Sequence, residues 1–193
     1  MTAARNPASS SDPANRTSPA GDPGHAATIV LIGPPGAGKT SVGSLLAAEL
    51  GVPFADTDAE VARAAGKPVG DIFIDDGEQA FRDLERAAVA RGLEAAGPGG
   101  VLALGSGAVL DPQVRRMLAG RVVVYLEAGF ATVARHAGMD RPRVVIPGNP
   151  RGRLRAMLEE RRAIYAGLAS ITVPTDDMAP EEVAADLAKR LRA

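Results

Sequence analysis

Thr28-Ile-Val-Leu-Ile-Gly-Pro-Pro-Gly-Ala-Gly-Lys-Thr40 decides how the rest of this 193-residue chain is read. Residues 28–32 form an apolar, β-branched run, the pattern of a strand buried on both faces of a parallel sheet. Gly33, four intervening residues, then Gly38, Lys39 and Thr40 match the P-loop spacing, in which successive backbone N–H groups line one concavity and bind phosphate oxygens. Gly36 and Gly38 can take positive φ and let the main chain approach an anion closely. Lys39 supplies a point charge to phosphates and the Thr40 hydroxyl a ligand for Mg²⁺. Val42, Leu45, Leu46 and Leu50 then recur at helical spacing up to Gly51, a natural C-cap. The loop therefore opens a helix whose positive N-terminal end faces the anion. Agreement between spacing and strand–loop–helix setting disfavours a glycine turn that binds nothing.

The length suits one α/β domain with a sizeable core. A net charge of −1 leaves no basic footprint for nucleic acid or an acidic membrane surface. Without cysteine there is neither a disulfide framework nor a thiolate metal site, a composition that suits a reducing cytoplasm. His25 and His136 are too far apart in sequence for the usual zinc patterns, so a metal, where present, is expected to be Mg²⁺ on oxygen ligands. No run of eighteen apolar residues exists, and a soluble protein is predicted. Residues 1–27, rich in Ser, Pro, Ala, Asn and Gly, read as a disordered tail ahead of a domain at 28–193.

After the first helix, Val52 to Ala55 leads into Asp56-Thr-Asp58 at the carboxyl end of a second strand, where ligands bind in open α/β sheets. Period two would put both carboxylates on one face. Asp58 reads equally well as the N-cap of a helix over 59–65. Residues 71–74 suggest a short apolar turn, and Asp76-Gly-Glu-Gln79 a capping box opening a helix to about residue 95, with Phe81, Leu84, Ala88 and Ala95 on its core stripe. Arg82 is either the i,i+4 partner of Glu78 or a fork for a substrate carboxylate. A third apolar strand, Val101 to Leu104, runs into Gly105-Ser106-Gly107, which either exposes backbone N–H groups at the ligand edge or is a plain tight turn. Asp111-Pro112 caps a helix, residues 121–126 are a fourth strand and residues 130–137 are helical. The segment at about 135–150, punctuated by Gly and Pro and carrying Arg135, Arg141 and Arg143, reads as a lid bringing cations to phosphates, or as a solvated basic loop. On the charged helix 151–168, Arg161 and Arg162 either pair with Glu159 or Glu160 or send one guanidinium into the cleft. A fifth strand at 171–173 and an amphipathic helix at 181–191 close the chain.

Taken together, the Gly33 to Thr40 loop, Asp56-Thr-Asp58, Asp71-Ile-Phe followed by Asp76-Gly-Glu-Gln-Ala-Phe-Arg82, Gly105-Ser-Gly-Ala-Val109, Arg141-Pro142 and Glu160-Arg161 resemble the shikimate kinase family over about residues 27–192. The resemblance implies a nucleoside-monophosphate-kinase type of fold: a five-stranded parallel sheet of order 2-3-1-4-5 with helices on both faces, a substrate-binding segment at about 58–95, and the lid. It implies transfer of the ATP γ-phosphoryl to the 3-hydroxyl of shikimate, a step of aromatic amino acid and chorismate biosynthesis, by a cytoplasmic monomer needing ATP and Mg²⁺. By position, the nucleotide falls to Gly36, Ala37, Gly38, Lys39, Thr40, Ser41, Arg141 and Pro180, with Arg135 near the adenine. Thr40 and Asp56 serve the metal and its water shell. Asp58 faces the acceptor hydroxyls as base and, with Lys39 and Arg141, makes the catalytic set. Arg82 and Arg161 grip the substrate carboxylate beside Gly105, Ser106 and Gly107. Where the family has three glycines this chain has Gly-Ser-Gly, so Ser106 is expected to adopt a glycine's backbone geometry or to shift the turn. Two other readings stay open on sequence: a kinase of another small molecule, such as gluconate, and a P-loop module that binds nucleotide without transferring phosphate.

Overall fold

The computed structural model of the chain describes residues 26–137 and 149–192. Strands β1 (Ile29–Ile32), β2 (Phe54–Asp56), β3 (Val101–Ala103), β4 (Val122–Glu127) and β5 (Ile171–Pro174) make one parallel sheet in the order β2-β3-β1-β4-β5, the order expected from the resemblance. Leu31 lies opposite Ala103 of β3 and Val124 of β4, and Asp56 lies opposite Ala103. The carboxyl ends of β1, β2 and β3 thus reach one edge of the sheet, where the chain reverses its direction of winding.

The central position of β1 explains its continuous apolar sequence, because both of its faces are covered. Ile29 and Leu31 pack with Val42 and Leu46 of helix α1 (Lys39–Leu50) and Leu187 of helix α8 (Pro180–Arg192). On the other face, Val30 and Ile32 meet Val89 and Leu93 of helix α4 (Gly77–Ala96) and Tyr165 of helix α7 (Pro150–Leu168). A third, smaller core of Val61, Ile72, Phe81 and Ala88 ties together α2 (Thr57–Ala65), α3 (Val69–Asp75) and α4. This separate core makes α2, α3 and the start of α4 a unit of packing in its own right, attached to the sheet through α4. Helices α5 (Pro112–Met117) and α6 (Phe130–His136) complete the set. Among the described residues no helix is long and apolar enough to cross a membrane.

Several sequence expectations are corrected. Residues 71–74 belong to a helix, α3, rather than a turn. The capping box at Asp76 does not form: Asp76 already closes α3, its N–H bonding the Ile72 carbonyl, and its carboxylate is taken by Lys67 at 2.7 Å. On α4, Ala95 is exposed while Ala96, one residue on, is buried, because the buried stripe runs through Phe81, Glu85, Ala88, Gly92 and Ala96. The expected tail, except for residues 26 and 27, and the expected lid, except for residues 135–137, 149 and 150, lie outside the described residues, as do Arg141 and Arg143.

Candidate active site

The loop between β1 and α1 bends where its glycines permit. Gly36 and Gly38 have φ of 74° and 86°, in the left-handed region that glycine alone enters without penalty. Gly36 is needed for space as well, since a Cβ there would lie 2.7 Å from the Cβ of His136. Lys39 folds back over the loop and donates from Nζ to the carbonyls of Gly33 and Pro34, at 3.0 and 2.9 Å. Burial lowers its pKa to about 8; the negative charges of Asp58 and Asp56 oppose that shift and Arg161 adds to it. The ammonium is thus held over the loop by two of the loop's own carbonyls.

Asp56 ends β2 and does two jobs. Its Oδ1 accepts from the backbone N–H of Asp58 and Ala59, at 2.9 and 3.3 Å, and its Oδ2 accepts from the Thr40 hydroxyl at 2.6 Å. Asp56, not Asp58, is therefore the N-cap of α2, and the two carboxylates do not share a strand face: Asp58 sits in the first helical turn. Freed from capping, Asp58 lines a cavity of about 400 Å³ together with Gly36, Gly38, Lys39, Thr40 and Ser106. Partial desolvation raises its pKa, Asp56 adds to the rise and Lys39 opposes it. Ser41 and Asp56 border the same space.

The turn after β3 forms the opposite wall. Gly105 donates its N–H to the Thr57 hydroxyl at 2.8 Å, and the Ser106 carbonyl accepts from the Tyr165 hydroxyl at 2.6 Å. Neither Gly105 nor Gly107 has a positive φ, and among the described residues no residue other than glycine does. The concern over Ser106 is thereby corrected, since the turn asks for no glycine conformation at that position. Its outer glycines are there for room. A Cβ on Gly105 would lie 2.5 Å from Asp58 Oδ1, and one on Gly107 would lie 3.0 Å from Arg82 Nη1.

Arg82 reaches this wall from α4. Its Nη1 is bound at 2.7 Å by Glu85, whose side chain is only 4% exposed, while Glu78 stands 3.6 Å from Nη2 and is largely in solvent. The i,i+4 pair is the weaker tie; the buried i,i+3 carboxylate orients the fork. Burial raises the pKa of Glu85 and the hydrogen bond from Arg82 opposes the rise. Arg161 is the arginine of α7 that faces the cleft, close enough to influence Lys39, Glu85 and Tyr165 electrostatically. Arg162 points elsewhere and pairs with Glu127 at 3.1 Å rather than with Glu159 or Glu160.

A second cavity of about 250 Å³ adjoins the first and is bordered by Ala37, Ser41, Arg135, His136 and Pro180. Of the residues singled out on sequence, those of the loop, Asp56, Asp58 and the glycine turn with Arg82 come together, Arg161 faces them, Pro180 borders the adjoining cavity, and Arg141 lies outside the described residues. Sequence reasoning missed Thr57, Glu85, His136 and Tyr165. Only Glu85 left a trace in the sequence, a carboxylate on the apolar stripe of α4.

Mg²⁺ fits the donors present. Thr40 and Asp56 offer hard oxygen atoms side by side, and among the described residues no group of three or more His, Cys, Asp or Glu could hold a metal, so the remaining ligands would come from phosphates and water.

The family model described as shikimate kinase matches residues 35–192. The shikimate kinase of Thermobifida fusca is 56% identical over 164 residues, covering 85% of this chain and 94% of that protein. That of Salinispora arenicola is 49% identical over 168 residues, covering 87% and 99%. Among solved structures, the shikimate kinase from Acinetobacter baumannii in complex with shikimate superposes with a TM-score of 0.77 at 32% identity, covering 86% of this chain and 93% of that one. The enzyme from Aquifex aeolicus gives 0.70 at 29%, covering 86% and 96%. A match that runs from within the P-loop to the last helix, together with relatives about half identical over most of their length, places this chain in the shikimate kinase family.

Proposed function

We propose that the chain transfers the γ-phosphoryl of ATP to the 3-hydroxyl of shikimate within the cavity between the P-loop and the glycine turn, as a cytoplasmic monomer. The observation that carries this reading is that Lys39, Thr40 with Asp56, Asp58 and the glycine turn with Arg82 converge on one cleft at the carboxyl edge of the sheet. The backbone of Gly36 to Ser41 and the Lys39 ammonium hold the phosphates, and the nucleoside extends toward Arg135, His136 and Pro180. Mg²⁺, held by Thr40 and through the shell of Asp56, would neutralise charge on the phosphates. Arg82 and Arg161 bind the acceptor carboxylate, shikimate's one charged group, with planar forks suited to it. Asp58, its pKa raised, accepts the proton of the attacking hydroxyl. Arg141, from the lid expected at about 135–150, adds a cation to the transferring group. The absence of cysteine suits the proposed compartment.

The test is coupled ADP release with ATP and Mg²⁺, with and without shikimate, alongside gluconate as a control acceptor. Release that depends on shikimate is expected; release indifferent to acceptor, or stronger with gluconate, would overturn the reading.

The state of Lys39 makes a second prediction. Below about pH 8 its ammonium is charged and attracts phosphate, and as pH rises through about 8 that charge is lost from the free protein. Affinity for a non-hydrolysable ATP analogue is expected to be lower at pH 9 than at pH 7. Binding at pH 9 should take up a proton, because phosphate favours the charged amine. Calorimetric titration in two buffers of different ionisation enthalpy measures both quantities. Equal affinity and no proton uptake would remove Lys39 from the phosphates.

A further inference from the structure

Tyr165 is 1% exposed and its ring stacks on that of Tyr125, with centroids 5.3 Å apart and planes at 26°. Such packing accounts for the ring. It leaves the direction of the hydroxyl unexplained, and that hydroxyl leaves the core to donate to the Ser106 carbonyl at 2.6 Å, 59 residues away in sequence. The acceptor belongs to the peptide unit that joins Ser106 to Gly107. In a trans peptide the C=O and N–H point in opposite directions, and the described residues contain no cis bond. A hydroxyl that fixes the Ser106 carbonyl on the α7 side therefore turns the Gly107 N–H away from α7, in a residue that lies beside Arg82, since an added Gly107 Cβ would stand 3.0 Å from Arg82 Nη1. Among the described residues neither the Ser106 nor the Gly107 N–H has a hydrogen-bond partner, whereas the neighbouring amides do: Gly105 bonds Thr57 and Ala108 bonds the Gly105 carbonyl.

We propose that Tyr165 is a positioning residue of the acceptor site, holding the 106–107 peptide so that its N–H joins Arg82 in binding the carboxylate of shikimate. This rests on the acceptor reading given above. Two effects support one another. The hydrogen bond fixes the peptide against rotation, and by polarising the carbonyl it strengthens the N–H as a donor to an anion. Arg161 stands one turn before Tyr165 on α7, and its guanidinium comes within hydrogen-bonding reach of the hydroxyl as well as acting on it by charge. One face of α7 thus supplies a guanidinium to the ligand and an anchor to the turn. The other fixed end of the turn is Thr57, so the glycine turn is strung between a hydroxyl from α2 and a hydroxyl from α7.

Tyr165→Phe removes the hydroxyl and keeps the stacked ring. Steady-state kinetics should show KM for shikimate raised about 3- to 10-fold, the size expected for one lost hydrogen bond, with KM for ATP unchanged and kcat lowered less. Tyr125→Phe, which leaves the Ser106 carbonyl bonded, should change neither KM. A purely structural role predicts a lower melting temperature with both KM values unaltered, and that result would overturn the proposal. Should Tyr165→Phe fail to fold, the wild-type sequence still offers a measurement, because it has only two tyrosines. With 3-fluorotyrosine incorporated and the two ¹⁹F signals assigned through Tyr125→Phe, saturating shikimate should shift the Tyr165 signal. A signal that stays in place would also overturn the proposal. Absence of shikimate-dependent ADP release from the wild-type protein would instead refute the acceptor reading itself.

Discussion

Asp58→Asn is expected to lower kcat about 100- to 10,000-fold, the range that a positioned general base contributes, while affinity for the ATP analogue changes little. The geometry separates the two quantities. Asp58 faces the cavity but does not cap α2, a task that Asp56 carries out through Oδ1, so the amide replacement leaves the helix start intact. The cradle of glycine amides and the pairing of Thr40 with Asp56 are likewise untouched. What is lost is an acceptor for the proton of the attacking hydroxyl. The carboxyl is tuned for that task, because desolvation and the neighbouring Asp56 raise its pKa and improve it as a base. A consequence in the wild type follows with its sign. The raised pKa means that the active carboxylate is lost, as pH falls, at a higher pH than for an ordinary aspartate, so kcat/KM should show an acid limb displaced upward. That limb should vanish in Asp58→Asn. Rapid-quench or coupled-assay kinetics across pH measures both, and an Asp58→Asn protein turning over at the normal rate would remove Asp58 from the chemistry.

How much of this was visible in the sequence depended on the distance between partners. The P-loop could be read because its requirements are local: glycines where φ is positive, a lysine that folds back five and six residues, and a helix that follows at once. The strand order was carried by the family resemblance, while the alternation of strands and helices followed from hydrophobic period alone. Asp56 and Asp58 were recognisable as a pair, but their division of labour was not, since only the backbone shows that β2 hands over to α2 at Thr57 and leaves Asp56 as the cap. Local rules also failed where a better-placed or more deeply buried group outcompeted the expected partner. The capping box at Asp76 lost to Lys67 and to the end of α3. Arg82 had a legible partner in Glu78, yet the buried Glu85 holds it more closely. Thr57 and Tyr165 were invisible for a related reason: their partners in the glycine turn lie 48 and 59 residues away, and no periodicity encodes a side-chain hydroxyl reaching that far.

The glycine turn supplies the second large effect. Gly105→Ala is expected to reduce kcat/KM for shikimate about 100-fold or more, the cost of misplacing reacting groups by roughly 1 Å. Backbone strain is not the cause, because Gly105 has no positive φ. The added methyl would meet Asp58 Oδ1 at 2.5 Å and Glu85 Oε1 at 3.3 Å, and neither can retreat freely. Glu85 is buried and tied to Arg82, and Asp58 is anchored by its place in the first turn of α2. Moving the turn instead would break the hydrogen bond from Gly105 to the buried Thr57 hydroxyl. Every route of relief therefore displaces a group assigned to the acceptor. The neighbouring position provides the control. Ser106→Gly restores three consecutive glycines without adding an atom, and since Ser106 needs no left-handed φ, kcat/KM should stay within about threefold of the wild type while the melting temperature falls slightly from the added freedom of the unfolded chain. A turn that served only as a connector would tolerate alanine at Gly105 as easily as glycine at Ser106. Parallel steady-state kinetics with shikimate varied at saturating ATP distinguishes the two cases, and equal kcat/KM in both variants would mean that Asp58 and Arg82 are not held against this turn during turnover.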